Sequence, residues 1–299
     1  MNNRPEETYL GVIVPYDFAL DREIWRWTPK RLNLLITRTP QLGLPSTVEM
    51  AENISSDETV RNATRQLLTT EPAAVVYLCT SGSFIKGPHG ERQMRSVMQE
   101  AGTPIAVTTA GALIEACTAL GIRKIALATP YIASITDKLR SYLEESEVAV
   151  TSSIGLGRED RIWQVSEERI RELVLDADHP DADAIFVSCT NLRTYALIRE
   201  LEADLGKPIL TANQVSIWAA MRAAGIKQPD IKQRLFIDTW QGKRRNGPSK
   251  TTVAALESQR FTLHASQPEV LRCGGDVVET PNDRGEHVSP DETEVGVEQ

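Results

Sequence analysis

The 299-residue sequence is short of the features that most readily assign a chain to a class. Its four cysteines, Cys79, Cys117, Cys189 and Cys273, form no CxxC pair and have no histidine beside them at metal-ligand spacing. Neither a zinc centre nor a disulfide framework is therefore expected, and free thiols in a reducing, cytoplasmic setting are the reading. The opening MNNRPEETYLGVIVP lacks the basic region, apolar run and cleavage site of a secretory signal. No stretch approaches the roughly 20 apolar residues that cross a bilayer, so no membrane association is expected. The formal charge of -8 is not spread evenly: residues 276–299 carry eight acidic side chains against the single Arg284. The near-neutral remainder offers no basic groove, which argues against nucleic acid as a partner. A glycine-rich phosphate loop is also missing, because IGLGRED at 154–160 lacks the dinucleotide spacing, and no nucleotide cofactor is expected.

What is present is an alternation. Short β-branched runs occur at 10–15 (LGVIVP), 32–38, 73–80 (AAVVYLCT), 104–109, 124–129 (KIALAT), 148–153, 184–190 (AIFVSCT) and 208–212. Each reads as a buried strand. Helical patterns lie between them: Ser56–Leu68 with Asp57 and Glu58 in its first turn, Ala110–Leu120 ended by Gly121, Ile132–Glu145, Ser166–Asp176, and Asn191–Leu205 ended by Gly206. Strand and helix in alternation predict an α/β fold with a mainly parallel sheet flanked by helices. The stretch IKQPDIKQRLFIDTW reads as a last helix or strand and KRRNGPSKTT as a linker. The acidic end reads as disordered, or as docking against another subunit of a homo-oligomer.

Two strands share an outline. AAVVYLCTSGSF and DAIFVSCTNLRT each run through an apolar core into Cys-Thr and a polar turn, placing Cys79-Thr80-Ser81 and Cys189-Thr190-Asn191 110 residues apart. The C-terminal ends of parallel strands are where such sheets gather ligand groups. A thiol there lies near backbone N–H groups that lower its pKa and hold a carboxylate, with Gly82 allowing close approach. Cys79 and Cys189 are thus the candidate catalytic pair for a small carboxylic acid substrate, with no metal. Thr80, Ser81, Thr190 and Asn191 are candidate substrate-binding donors. Tyr131 can donate its phenol to a substrate oxygen, and Asp17, Asp21 and Arg22 either line the pocket mouth or begin a solvated helix. Cys117 and Cys273 read as inert small hydrophobes, His89 as a solvated loop residue, and Trp25 and Trp27 as a core or interface anchor.

Across roughly Leu10 to Gly225 the sequence resembles the aspartate/glutamate racemase superfamily, in the branch of maleate cis-trans isomerase and arylmalonate decarboxylase. The resemblance is carried by GVIVP, VVYLCTSGSF, KIALATPYI, FVSCTNLRT and GKPILTANQVSIWAAMRAAG. It implies two pseudo-symmetric α/β halves, each with a mainly parallel four-stranded sheet, enclosing a small acid without cofactor or metal. The halves are expected at 8–105 with 208–240, and at 106–207, leaving 241–299 as linker and tail. By motif, Cys79 matches a position held by cysteine in isomerases and racemases and by glycine in the decarboxylase. Cys189 matches the second-half cysteine, Thr80-Ser81 an oxygen-holding turn, and Tyr131 a substrate-contacting tyrosine. The implied activity is a two-cysteine isomerase of the maleate type. The alternatives are a racemase or decarboxylase on the same scaffold, or a non-catalytic carboxylate-binding protein. Two departures stand out: Pro15-Tyr16-Asp17-Phe18-Ala19 replaces the isomerases' Pro-Ser-Ser-Asn-Thr-like segment, and Asp160 or Arg161 replaces an asparagine expected near GREDRIW. They leave room for a bulkier or less symmetric acid than maleate.

Overall fold

The computed structural model describes residues 7–245, so the acidic segment and Cys273 lie outside the described residues. Strands β1 (Thr8–Val14), β2 (Leu32–Arg38), β3 (Ala74–Tyr77) and β4 (Ala106–Thr108) form one sheet in the order β2-β1-β3-β4. Strands β5 (Lys124–Tyr131), β6 (Ala149–Arg158), β7 (Ala184–Val187) and β8 (Ile209–Thr211) form a second in the order β6-β5-β7-β8. Every strand pair is parallel. The two sheets therefore repeat one topology, with β3 and β7 equivalent.

Sheet membership shifts the boundaries expected from sequence. β4 completes the first sheet although it begins at 106, and β8 belongs to the second sheet although 208–240 was assigned to the first half. The helix after β8, Ala212–Ala223, does return to pack on β3 of the first sheet. Threonines at the ends of β4 and β8 begin equivalent helices. Thr108 Oγ1 accepts the Gly111 N–H at 3.0 Å, and Gln214 Oε1 accepts the Thr211 N–H at 3.3 Å. These helices, Thr109–Leu120 and Ala212–Ala223, pack against each other and are joined by a buried Ser216–Thr109 hydroxyl bond of 2.8 Å. They form the seam between the sheets.

Serine caps open Asp57–Leu67 (Ser56) and Glu167–Ala177 (Ser166), while Gly121 and Gly206 end their helices at φ +71° and +70°. Three expectations differ. The helix predicted from Asn191 begins only at Tyr195, because Asn191 and Thr194 are bonded elsewhere. His89 is exposed but helical, within Gly87–Ala101, which Pro88 opens. The last element is a helix, Arg234–Arg245, which takes in the first residues of the expected linker.

Alternation along β3 sends Val76 and Leu78 into one apolar cluster and Val75, Tyr77 and Cys79 into another. The larger cluster runs without a break from Leu10 and Val12 of β1 to Phe186 of β7 and Trp218 of the seam. Trp27 is fully buried in it, whereas Trp25 is exposed. Cys79 thus belongs to the smaller cluster, with Met50 and Ile54 of the helix Val48–Ile54 and Met94 and Met98 of the helix Gly87–Ala101. Among the described residues, no helix is long and apolar enough to cross a membrane.

Candidate active site

Both sulfur-bearing strand ends open onto one cavity. It is lined by Cys79, Thr80 and Ser81 after β3, by Cys189, Thr190 and Asn191 after β7, by Pro15 and Asp17 after β1, and by Tyr131 at the end of β5. The eight residues named from sequence therefore converge. A larger open hollow of about 960 Å³ between Pro29–Leu32 and Ala224–Lys232 contains no cysteine. Size does not identify this site; chemistry does. In this closed form the thiol cavity encloses only about 20 Å³, room for roughly one water, so a carboxylic acid enters only when the surrounding wall opens.

Cys79 is the N-cap of the helix Thr80–Phe84. Its Sγ lies 3.8 Å from Ser81 Oγ, and the Gly82 backbone N–H is near enough to favour the thiolate. Those donors do lower its pKa, as the strand-end position suggests, but burial outweighs them and the thiol is pushed up to about 11. Cys189 is not at a helix N-terminus. It holds φ +84°, a conformation costly for a residue with a Cβ, and this turns Asn191 N–H toward its sulfur at 3.4 Å. Burial pushes Cys189 up to about 12 against the pull of that N–H and of Tyr131. The Asp17 carboxylate adds to the rise at both thiols. In the free site both cysteines are neutral thiols near neutral pH, contrary to the sequence expectation of a lowered pKa. Cys117, buried in the seam helix and pushed up to about 12, lines no part of this cavity.

Thr80 Oγ1 is buried without a hydrogen-bond partner, and a lone hydroxyl in a site wall is a donor left free for a ligand oxygen. Tyr131 Oη lies 3.4 Å from Ser188 Oγ, and its ring meets Phe84 edge-on at 6.4 Å. Gly82 acts differently from expectation: a Cβ there would fall 2.5 Å from Tyr77 Oη, so its smallness admits Tyr77 behind the cysteine. Asn191 is spent on structure. Its Oδ1 accepts Ala19 N–H at 3.0 Å, and its Nδ2 donates to Asp17 O at 3.2 Å and Asp17 Oδ2 at 3.3 Å. A second clamp runs beside it, with Glu23 Oε1 accepting Thr194 N–H at 2.6 Å and Tyr195 N–H at 2.8 Å. Asn213 Nδ2 donates to Thr190 O at 2.9 Å. The segment after β1 is thus tied to the turn that carries Cys189.

Sequence reasoning missed Ser46, Thr47, Met50, Ile135 and Ile162, which complete the wall. Ser46 N–H donates to Glu159 O at 2.6 Å, closing one sheet's loop onto the other's. The residues offered in place of an asparagine, Asp160 and Arg161, are exposed and paired with each other; Ile162 faces the cavity instead. Asp21 and Arg22 begin the short helix Asp21–Ile24, where Asp21 pairs with Arg38 at 2.9 Å. Each of the five missed wall residues lies more than 25 positions from either cysteine, and no local pattern marks a residue that reaches a site so far along the chain.

A family model described as arylmalonate decarboxylase matches residues 42–236. The arylmalonate decarboxylase of Bordetella bronchiseptica is 32% identical over 189 residues, covering 62% of this chain and 78% of that protein. A maleate isomerase of Geobacillus stearothermophilus is 29% identical over 161 residues, covering 51% and 64%. Among solved structures, a liganded arylmalonate decarboxylase variant with one glycine-to-cysteine and one cysteine-to-serine change is 28% identical. It has a TM-score of 0.70 and covers 76% of this chain and 98% of its own. A Nocardia farcinica maleate cis-trans isomerase variant with a covalently bound succinylcysteine intermediate shares the fold at 19% identity and TM-score 0.69, covering 77% and 98%.

Proposed function

The chain belongs to the arylmalonate decarboxylase family, in the racemase-like branch it shares with the maleate isomerases, and from that premise we propose that it is a cofactor-independent isomerase of a small carboxylic acid. The single observation that carries this is the pair of thiols, one from each sheet, on one enclosed cavity. Two acid/base groups reaching a substrate from two directions suit a reaction that takes a proton or electron pair on one face and returns it on another. A decarboxylation needs only one of them to protonate a carbanion.

The carboxylate is held by the hydroxyls of Thr80, Ser81 and Tyr131 and by the N–H groups of the Cys79 turn. With an alkene acid, the small fraction of Cys79 that has lost its proton to solvent adds as thiolate to one alkene carbon, and the electron pair passes into the carboxylate as an enediolate. Rotation about the new single bond and expulsion of the sulfur give the trans acid, with Cys189 supplying and recovering a proton. With a chiral acid, one thiolate takes the α-proton and the opposite thiol returns one to the other face. Both routes place charge on the substrate carboxylate, where the unpaired Thr80 hydroxyl is available.

Proton NMR of small alkene, α-substituted and malonic acids in deuterated water tests this, since it reports isomerisation, α-exchange and carbon dioxide loss together. Isomerisation or exchange that disappears in both Cys79→Ala and Cys189→Ala is the expected result. Turnover that survives Cys79→Ala and ends only with Cys189→Ala identifies a decarboxylase instead.

A further inference from the structure

The charge inventory of the cavity is one-sided. Among the residues that line it there is no lysine, arginine or histidine, and there is one carboxylate, Asp17. One substrate carboxylate is already provided for by the hydroxyls and N–H groups around Cys79. A second would have to share the remaining space with Asp17, and no cation is present to offset the two like charges. We infer that Asp17 is a specificity-determining residue that selects a monocarboxylate whose other polar group is a hydrogen-bond donor, such as an ammonium, hydroxyl or amide, and rejects dicarboxylates.

The carboxyl is held in place for that task. Asn191 Nδ2 binds both Asp17 O and Oδ2, and Asn191 Oδ1 fixes the following turn through Ala19 N–H. Burial pushes the Asp17 carboxyl up from its ordinary value, while its own backbone N–H and the Asn191 amide favour the carboxylate; only one of its oxygens is engaged by that amide, and a carboxylate accepts through several lone pairs. The neighbouring thiols give the selection a catalytic consequence. Asp17 raises the pKa of both Cys79 and Cys189, so a donor seated on it offsets its charge and makes either thiol easier to ionise. A second carboxylate would do the reverse. Binding of the right substrate and activation of the thiols are then coupled through one side chain.

The inference rests on the thiol cavity being the substrate site, but it is tested by binding, which is separable from turnover. Full-length wild-type and Asp17→Asn proteins are titrated by calorimetry with maleate and phenylmalonate as dicarboxylates, and with maleamate, mandelate and phenylglycine as donor-bearing acids. Like charges a few ångströms apart in a partly dry site give about a tenfold to hundredfold preference. Wild type should favour the donor-bearing acids by that factor, and Asp17→Asn should lose the preference by gaining affinity for the dicarboxylates. Equal affinity for both classes, detectable binding of neither, or a wild-type preference for dicarboxylates that Asp17→Asn leaves unchanged overturns the inference. The wild-type comparison stands even if the variant folds poorly. Selective binding without isomerisation or exchange would instead overturn the catalytic reading and leave the selection in place.

Discussion

The reactivity of Cys79 toward alkylation separates two opposed forces that meet at its sulfur. Backbone and hydroxyl donors favour the thiolate, and desolvation favours the thiol. With burial in control, a pKa of about 11 instead of the ordinary 9.0 leaves about a thousandth of the thiol ionised at pH 8 in place of about a tenth, a loss of about 100-fold. A more basic thiolate is also a better nucleophile, with a Brønsted slope near 0.4–0.5, which restores roughly sixfold to tenfold. The net expectation is labelling about 10–20-fold slower than a free thiol, and slower still because the cavity is closed. Iodoacetamide labelling followed by peptide mass spectrometry between pH 7 and 10 gives the rate at each cysteine. The logarithm of the Cys79 rate should climb by one per pH unit throughout, with Cys189 slower because it is pushed up to about 12. A Cys79 rate at or above that of a free thiol at pH 8, or a plateau below pH 9, would refute the reasoning and show that the strand-end donors prevail.

Three further outcomes follow from single observations. Cys189 holds φ +84°, so Cys189→Gly should melt higher than Cys189→Ala by the equivalent of about 1 kcal/mol, reversing the usual order of the two residues; an Ala variant of equal or greater stability contradicts the strain. Asn191→Ala leaves the Ala19 N–H without its acceptor and should cost about 1–3 kcal/mol in urea unfolding, together with a raised KM, whereas an unchanged unfolding midpoint would show that the clamp is idle. Burial pushes Glu202 up to about 7 from 4.5, opposed by the Arg234 and Ile209 N–H groups that it accepts. A raised carboxyl gives stability that is whole below about pH 4.5 and is lost as pH rises through 7. Wild type should therefore lose stability relative to Glu202→Gln over that window, and parallel pH profiles would exclude the effect.

The strands were legible because burial on both faces of a parallel sheet demands continuous β-branched runs, and AAVVYLCT and AIFVSCT are short, apolar and bounded by turns. The same runs located the two thiols, since a strand's end is a local event. The start of the helix predicted from Asn191 was not legible, because Asn191 and Thr194 are claimed by Asp17, Ala19 and Glu23, more than 170 positions earlier. Nor was the direction of the thiol pKa shifts. Donors at a strand end can be inferred from sequence, but the depth of burial that overrules them depends on how the seam helices and both sheets pack.

What the sequence by itself determined was the periodic content: eight strands, most helices, the repeated Cys-Thr turn, and the families these residues resemble. Only the tertiary structure decided that β4 and β8 complete separate sheets, that both sulfurs share one cavity, that Ile162 and not Asp160 or Arg161 faces it, and that Asp17 is the one carboxyl among the described residues that line it. The physical reason is range. Strand and helix patterns arise from neighbours a few residues apart, whereas a cavity's shape and dielectric are set by chain segments that meet only when both halves have folded against each other.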